Sequence, residues 1–185
     1  IIYGNSLISP RDVEQGKGLE AVINPYDFKK QKFDVIVGNP PYMSTEDMKN
    51  ITPLELPIYK QNYFTAYKQF DKYYLFIEKA VSLIKKGGYL GYIVPSKFTK
   101  VGAAKKLREF LSCKQLVKTI ISFGANQIFE SKTTYTCLLI AQNSKQKQLK
   151  YLEVRSYKDW TVRDYKAEDY DMIDSNKLSS ETWEL

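Results

Sequence analysis

The chain has 185 residues, 43% of them hydrophobic, and a formal net charge of +7 from 28 Lys and Arg against 21 Asp and Glu. That suits one domain with a substantial core, and no apolar run is long enough to span a bilayer. Histidine is absent, which excludes Ser-His-Asp triads, Cys-His pairs, histidine metal sites and a histidine general base. Any chemistry must run on carboxylates, amides, lysines, tyrosines or positioning alone. The basic balance is compatible with a polyanionic partner such as nucleic acid. Cys113 and Cys137 lack metal-type spacing, and each lies in an apolar stretch. Both read as buried free thiols in a reducing, cytoplasmic setting.

In chain order, Ile1-Ile2-Tyr3-Gly4-Asn5 reads as a strand running into a turn; it lacks an initiator methionine, as expected of a piece cut from a longer polypeptide. Phe33-Asp34-Val35-Ile36-Val37-Gly38 predicts a buried strand stopping at a sharp loop. Residues 43–62 are polar, contain Pro53 and Pro57 and show no clear period, which predicts a mobile loop. From Tyr63 to Lys86, Phe70, Tyr73, Tyr74, Ile77, Ala80, Val81 and Ile84 recur at helical spacing, with Gly87-Gly88 as the terminator. Residues 89–94 predict a second buried strand, closed by Pro95-Ser96. A helix follows over roughly 100–112, with Leu107, Phe110 and Leu111 inward and Lys105, Lys106 and Arg108 outward. Further strands are expected at Val117–Phe123, Thr134–Ala141 and Leu149–Val154, the last two joined as a hairpin.

Alternating strands and helices imply right-handed crossovers and a parallel sheet. The expectation is therefore an α/β fold: an open, Rossmann-like sheet, mostly parallel, with an antiparallel C-terminal hairpin. Such sheets bind ligands at the carboxyl ends of their strands. Asn39-Pro40-Pro41-Tyr42 sits at such an end. Residues 1–155 are expected to form the partial catalytic domain. Residues 156–185, polar with Trp160 and Trp183 isolated, are expected to connect to something further on.

Asn-Pro-Pro-Tyr is compatible with a plain turn, but its place directly after a buried strand points to chemistry. An exocyclic amino group on a nucleobase is a poor nucleophile because its lone pair is delocalised into the ring. Accepting hydrogen bonds from both of its N–H groups draws the nitrogen toward a tetrahedral shape. Its lone pair then points at an incoming methyl sulfonium. The Asn39 side-chain oxygen can supply one acceptor and the Pro40 carbonyl the other. Two prolines fix φ and hold that carbonyl rigidly. Positioning and oriented dipoles then carry catalysis without a basic residue. Tyr42 offers a flat face for stacking.

Asn39 to Tyr42 resembles the catalytic motif of the adenine-N6 DNA methyltransferases of bacterial restriction-modification systems, in the subgroup whose cofactor motifs precede the catalytic motif. Residues 87–96, Gly-Gly-Tyr-Leu-Gly-Tyr-Ile-Val-Pro-Ser, resemble a later strand motif of that family. Phe129 and the stretch from Thr133 to Ile140 resemble the segment whose aromatic clamps the target base. The resemblance implies that the sheet is an incomplete Rossmann-like methyltransferase sheet, with S-adenosylmethionine as cofactor and double-stranded DNA as partner. It also implies a flipped adenine as substrate and a fused or associated endonuclease and specificity domain. It places Tyr42 and Phe129 on either side of the adenine and Lys132 against the target-strand phosphate. Asn39 and Pro40 would also touch the cofactor. Asn5, in Gly4-Asn5-Ser6-Leu7, stands where the family usually carries an acidic residue for the cofactor's adenine; an amide oxygen can still accept there, without charge.

The family's glycine-containing cofactor loop lies before Gly4, and its recognition domain after residue 185. Residues 1–185 alone are therefore expected neither to bind S-adenosylmethionine tightly nor to methylate DNA; micromolar affinity by calorimetry would contradict this. Without the strand that carries the cofactor loop, residues 33–38 are expected to form an exposed apolar edge that pairs with another copy or segment. Two further readings stand beside this one. The motif also occurs in enzymes acting on protein glutamine, and related motifs in RNA guanine-N2 methyltransferases. A catalytically silent scaffold or DNA-binding module is the non-enzymatic alternative.

Overall fold

The structure, a computed structural model, describes residues 3–13, 19–126, 128 and 135–185. After a short helix, α1 (Leu19–Ile23), the β-branched run Phe33–Gly38 forms β1. It pairs in parallel with β2 (Ile84–Pro95), from Val35↔Tyr89 to Gly38↔Tyr92. The register slips between Phe33 and Val35. Gly87 sits at this slip with φ +79°, and a Cβ on Gly88 would stand 2.8 Å from the Asp34 carbonyl oxygen. The two glycines therefore admit an irregularity at the start of β2 rather than ending a helix.

The predicted loop 43–62 is instead two helices, α2 (Thr45–Ile51) and α3 (Glu55–Asn62). Ser44 caps α2: its Oγ accepts from the Asp47 N–H at 3.1 Å, while the Ser44 N–H donates to the Asp47 carboxylate at 3.0 Å. Ser44-Thr-Glu-Asp47 is thus a capping box that was readable in the sequence. Pro57 falls in the first turn of α3, where proline is tolerated.

The expected helix 63–86 is shorter, α4 (Lys72–Leu83), although its seven predicted inward residues are all buried. The chain before it forms a loop, held by contacts outweighing local periodicity. The Glu78 carboxylate accepts from the Phe64 and Thr65 N–H groups at 3.1 and 2.9 Å. Thr45 Oγ1 donates to the Phe70 carbonyl and accepts from the Phe70 N–H, both at 2.7 Å.

Downstream lie α5 (Lys105–Cys113), β3 (Val117–Ser122), β4 (Thr136–Gln142), β5 (Gln148–Glu153), α6 (Tyr157–Val162) and β6 (Asp171–Asp174). The sheet runs β1-β2-β4-β3-β5-β6. The α/β class holds, but the sheet is mixed: β1–β2 and β3–β5 are parallel, whereas β2–β4, β3–β4 and β5–β6 are antiparallel. The expected β4–β5 hairpin does not form. β4, with Cys137, Leu139 and Ala141 fully buried, takes the central place between β2 and β3. The short link after it is tied across the sheet's end: Asn143 exchanges backbone bonds with Gly87 and Gly88, and the Gln146 N–H reaches the Gln115 carbonyl. β5 is thereby delivered to the far side of β3.

Three smaller expectations are corrected. Cys113 is exposed, and Cys137 alone is a buried thiol. Arg108 is 2% exposed rather than outward. Residues 156–185 are more than a connection: β6 joins the sheet, Trp160 packs edge-on against Phe123, and Trp183 is buried against Phe98. β1 is an edge strand, as expected, but not the buried strand its composition predicts: none of its residues is buried, and Val35 and Val37 are 57% and 75% exposed. Among the described residues no helix is long and apolar enough to cross a membrane.

Candidate functional site

Asn39 to Tyr42 leave the carboxyl end of β1 beside the carboxyl end of its parallel neighbour β2. Tyr92 on β2 lies against Gly38, where a Cβ would come within 3.3 Å of its ring; a larger residue before Asn39 would push the tetrapeptide away. Asn39 is exposed, and its side chain makes no hydrogen bond to another described residue. Pro40 is buried and Pro41 exposed. Tyr42 turns back to donate its hydroxyl to the Ile93 carbonyl at 3.0 Å and meets Tyr73 edge-on, ring centres 6.1 Å apart. Partial burial, and secondarily Cys137, push its pKa up to about 12, so the phenol stays a donor at neutral pH. The chain beyond is pinned to the start of α4: the Lys72 N–H donates to the Met43 carbonyl at 2.8 Å, and Ser44 bridges Asp71.

Tyr42 lines a cavity of about 680 Å³ with Ser96, Lys97, Tyr135, Trp183 and Leu185, among others. That volume lies within roughly 300–1,000 Å³, the range of small-molecule sites. Pro95, Ser122 and Glu153, from the carboxyl ends of β2, β3 and β5, also line it, placing it where α/β sheets bind ligands. A salt bridge of 2.8 Å joins Lys97 to Asp71 at its wall. Asn39 does not line this cavity.

Asn5 lies in a separate, partly buried network. Its Oδ1 accepts from the Leu7 N–H at 3.0 Å, and its Nδ2 donates to Glu55 at 2.9 Å. Glu55 also accepts from the Tyr59 hydroxyl and from Lys72, both at 2.8 Å. These partners fix which way the amide faces: only the oxygen, with one lone pair left, remains free to meet a donor. Burial raises the Tyr59 pKa.

Of the sequence-predicted residues, the structure therefore brings Tyr42 to the cavity and leaves Asn39 open beside it. Asn5 is committed to a fold-stabilising network with one acceptor site to spare. Phe129 and Lys132 lie outside the described residues. Sequence reasoning missed Lys97, Asp71, Trp183 and Leu185. Lys97 carried a faint signal, directly following the Pro95-Ser96 strand end; Trp183 carried none beyond being a tryptophan in a polar stretch.

Residues 4–129 match the family model described as Eco57I restriction-modification methylase. Over all 185 residues the chain is 49% identical to the type II restriction enzyme and methyltransferase RM.Eco57I of Escherichia coli, of which it spans 18%. It is 35% identical over 103 residues, 56% of this chain and 18% of the relative, to the type II methyltransferase M.BstVI of Geobacillus stearothermophilus. In structure it resembles a putative class I S-adenosylmethionine-dependent methyltransferase from Listeria monocytogenes, with a TM-score of 0.58 at 20% identity over 74% of this chain and 41% of that one. The DrdV–DNA complex gives a TM-score of 0.55 at 16% identity, over 75% of this chain and 17% of that one. At those identities the likeness speaks for the fold. With the family model covering most of its length, the chain belongs to the Eco57I restriction-modification methylase family.

Proposed function

We propose that this protein transfers a methyl group from S-adenosylmethionine to the N6 amino group of an adenine flipped out of double-stranded DNA. We place it in the cytoplasm, beside a fused or associated endonuclease and specificity domain. The observation that carries this reading is the open Asn39 side chain, followed by the rigid Pro40-Pro41 pair at the carboxyl end of β1 and by Tyr42 in the wall of the cavity. RM.Eco57I, 49% identical over the whole chain and described as both restriction enzyme and methyltransferase, supports a DNA substrate and an attached nuclease.

The acceptor groups present suit a cationic sulfonium cofactor and its amino groups. Asn39 is unpartnered among the described residues, the Pro40 carbonyl is held by two fixed φ angles, and Asn5 keeps one acceptor lone pair. When bound, the cofactor supplies an electrophilic methyl on a sulfonium. Asn39 Oδ1 and the Pro40 carbonyl accept the two N–H bonds of the adenine amino group and localise its lone pair. Tyr42, oriented by its bond to the Ile93 carbonyl, stacks on one face of the base, and Phe129 on the other. Lys132 contacts the target-strand phosphate. The catalytic unit is residues 1–155, with 156–185 packed against it. The exposed β1 edge pairs with another strand, from a second copy or another segment; scattering that stays monomeric at high concentration would argue against that.

Methylation is tested with the full-length protein to which residues 1–185 belong, labelled cofactor and three substrates: duplex DNA, a release factor and RNA. Label in DNA adenine, lost in Asn39→Ala while DNA binding persists, is the expected result. Undiminished activity of Asn39→Ala, or label only in protein or RNA, would sink the reading.

A further inference from the structure

We propose that Lys97 is the donor that reads a ring nitrogen of the target base, and that Asp71 and Arg108 position it; this rests on the adenine reading above. Lys97 and Tyr42 line the same cavity. The turn presenting Lys97, residues 96–101, is fastened from three directions. The Ser96 N–H and hydroxyl donate to the Tyr135 carbonyl, at 2.9 and 3.2 Å. The Trp183 N–H donates to the Thr99 carbonyl at 2.8 Å. The buried Arg108 guanidinium donates to the Phe98 and Val101 carbonyls at 2.6 and 2.8 Å, and to Ser180 at 3.0 Å. Among the described residues, no hydrogen bond from its guanidinium goes to a carboxylate. It spends its donors on backbone, which is an arrangement for holding a loop rather than for pairing charge.

The ammonium is anchored at one point, an ion pair on a side chain that is itself 51% exposed. Asp71, whose side chain is only 13% exposed, reaches Lys97 Nζ at 2.8 Å. Asp71 occupies the N-cap of α4, yet its carboxylate makes no capping bond. A preferred capping interaction is forgone, and the carboxylate serves Lys97 instead. An ammonium has three N–H donors, so two remain after Asp71.

The charge balance of the lining selects the acceptor. Asp47, Asp71 and Glu153 face Lys97 and Lys100 around the cavity, three carboxylates against two ammonium groups. Such a lining does not favour a phosphate. It does suit a neutral heteroaromatic acceptor flanked by the apolar surfaces of Tyr42 and Trp183. The chemistry also needs a donor. Asn39 and the Pro40 carbonyl offer only acceptors toward an amino group, and any exocyclic amine satisfies them. Adenine carries unprotonated nitrogens at N1 and N7, on either side of its amino-bearing carbon. Guanine carries a protonated N1 beside its amino-bearing carbon. A fixed N–H donor at N7 adds a selection against cytosine, which carries only C5–H on that side; at N1 it adds orientation rather than selection, because cytosine N3 and guanine N3 also adjoin their amino-bearing carbons unprotonated.

The test compares wild type and Lys97→Met, in the full-length protein to which this chain belongs, on duplexes carrying adenine, 1-deazaadenine or 7-deazaadenine at the target. Losing a charge-assisted hydrogen bond should lower kcat/KM on adenine by about 10- to 100-fold. That loss should vanish on one of the two analogues, where the acceptor is already missing. Comparing substrates within one variant cancels any general folding defect. An equal loss on all three substrates, or no loss on adenine, overturns the inference. So does a loss explained by a shallower salt dependence of binding, which would make Lys97 a phosphate contact. If Asn39→Ala is inactive while Lys97→Met is unimpaired, the inference alone fails. A wild-type full-length protein that methylates no adenine overturns both readings.

Discussion

Replacing Trp183 with alanine asks whether the end of the chain is part of the fold. The indole is 2% exposed, stands edge-on to Phe98 with ring centres 6.0 Å apart, and donates to the Ser179 carbonyl at 2.7 Å. Burying an indole removes roughly 150–250 Å² from water, on the order of 4–6 kcal/mol at about 25 cal/mol per Å². Each ordered residue costs about 1–2 kcal/mol in backbone entropy, so the indole offsets the ordering of about three residues. Nothing else in Leu178–Leu185 matches it. The Lys105–Glu181 bridge is solvent-exposed and adds little. The expected outcome is local: the segment detaches while the sheet persists. Native-state hydrogen exchange should then show lost protection at the Trp183 amide, or at whatever residue replaces it. In a Trp160→Phe background, Trp183 fluorescence should resist acrylamide. Quenching of Trp183 as strong as that of free indole, or unchanged protection after Trp183→Ala, would refute the argument.

Asn39→Ala should cost at least about 10²-fold in kcat, the scale for removing one oriented transition-state dipole, with DNA affinity measured separately and retained. Glu55→Ala strands Lys72, whose side chain is 11% exposed, and should cost about 3–5 kcal/mol of stability; an unchanged denaturation midpoint would show the pair to be idle. Gly88→Ala drives a Cβ to 2.8 Å from the Asp34 carbonyl oxygen and should destabilise by about 1–3 kcal/mol, lowering methylation through the displaced end of β1. Burial holds Tyr42 and Tyr92 at about 12, above the phenol's ordinary value of 10.0. A raised folded-state pKa contributes stability that is present below the unfolded value and lost as pH rises through the folded one. Stability should therefore fall between pH 10 and 12, and ultraviolet titration should find phenols that ionise only there; complete ionisation by pH 10.5 without unfolding would contradict it.

The sequence by itself determined the parts that depend on local chemistry. Histidine's absence excluded histidine-based chemistry, and Asn39-Pro40-Pro41-Tyr42 after a β-branched strand led to the proposal of positioning around a planar amino group. The periodic residues of α4 are buried as the 3.6-residue pattern required, and the run at 89–94 is a strand because side chains of that shape suit a pleated, packed surface, whereas the run at 33–38 is an edge strand with no buried residue. Local pattern failed where distant groups decide. Glu78 and Thr45 hold residues 64–70 out of helix, and Asn143 and Gln146 turn the link after β4 away from a hairpin. Arg108 lies inward because three backbone carbonyls, one of them seventy-two residues away in the chain, meet there. The tetrapeptide was legible because its chemistry is carried by contiguous residues. The cavity beside it was not, because Lys97, Asp71 and Trp183 come from separate stretches that only the tertiary structure brings together.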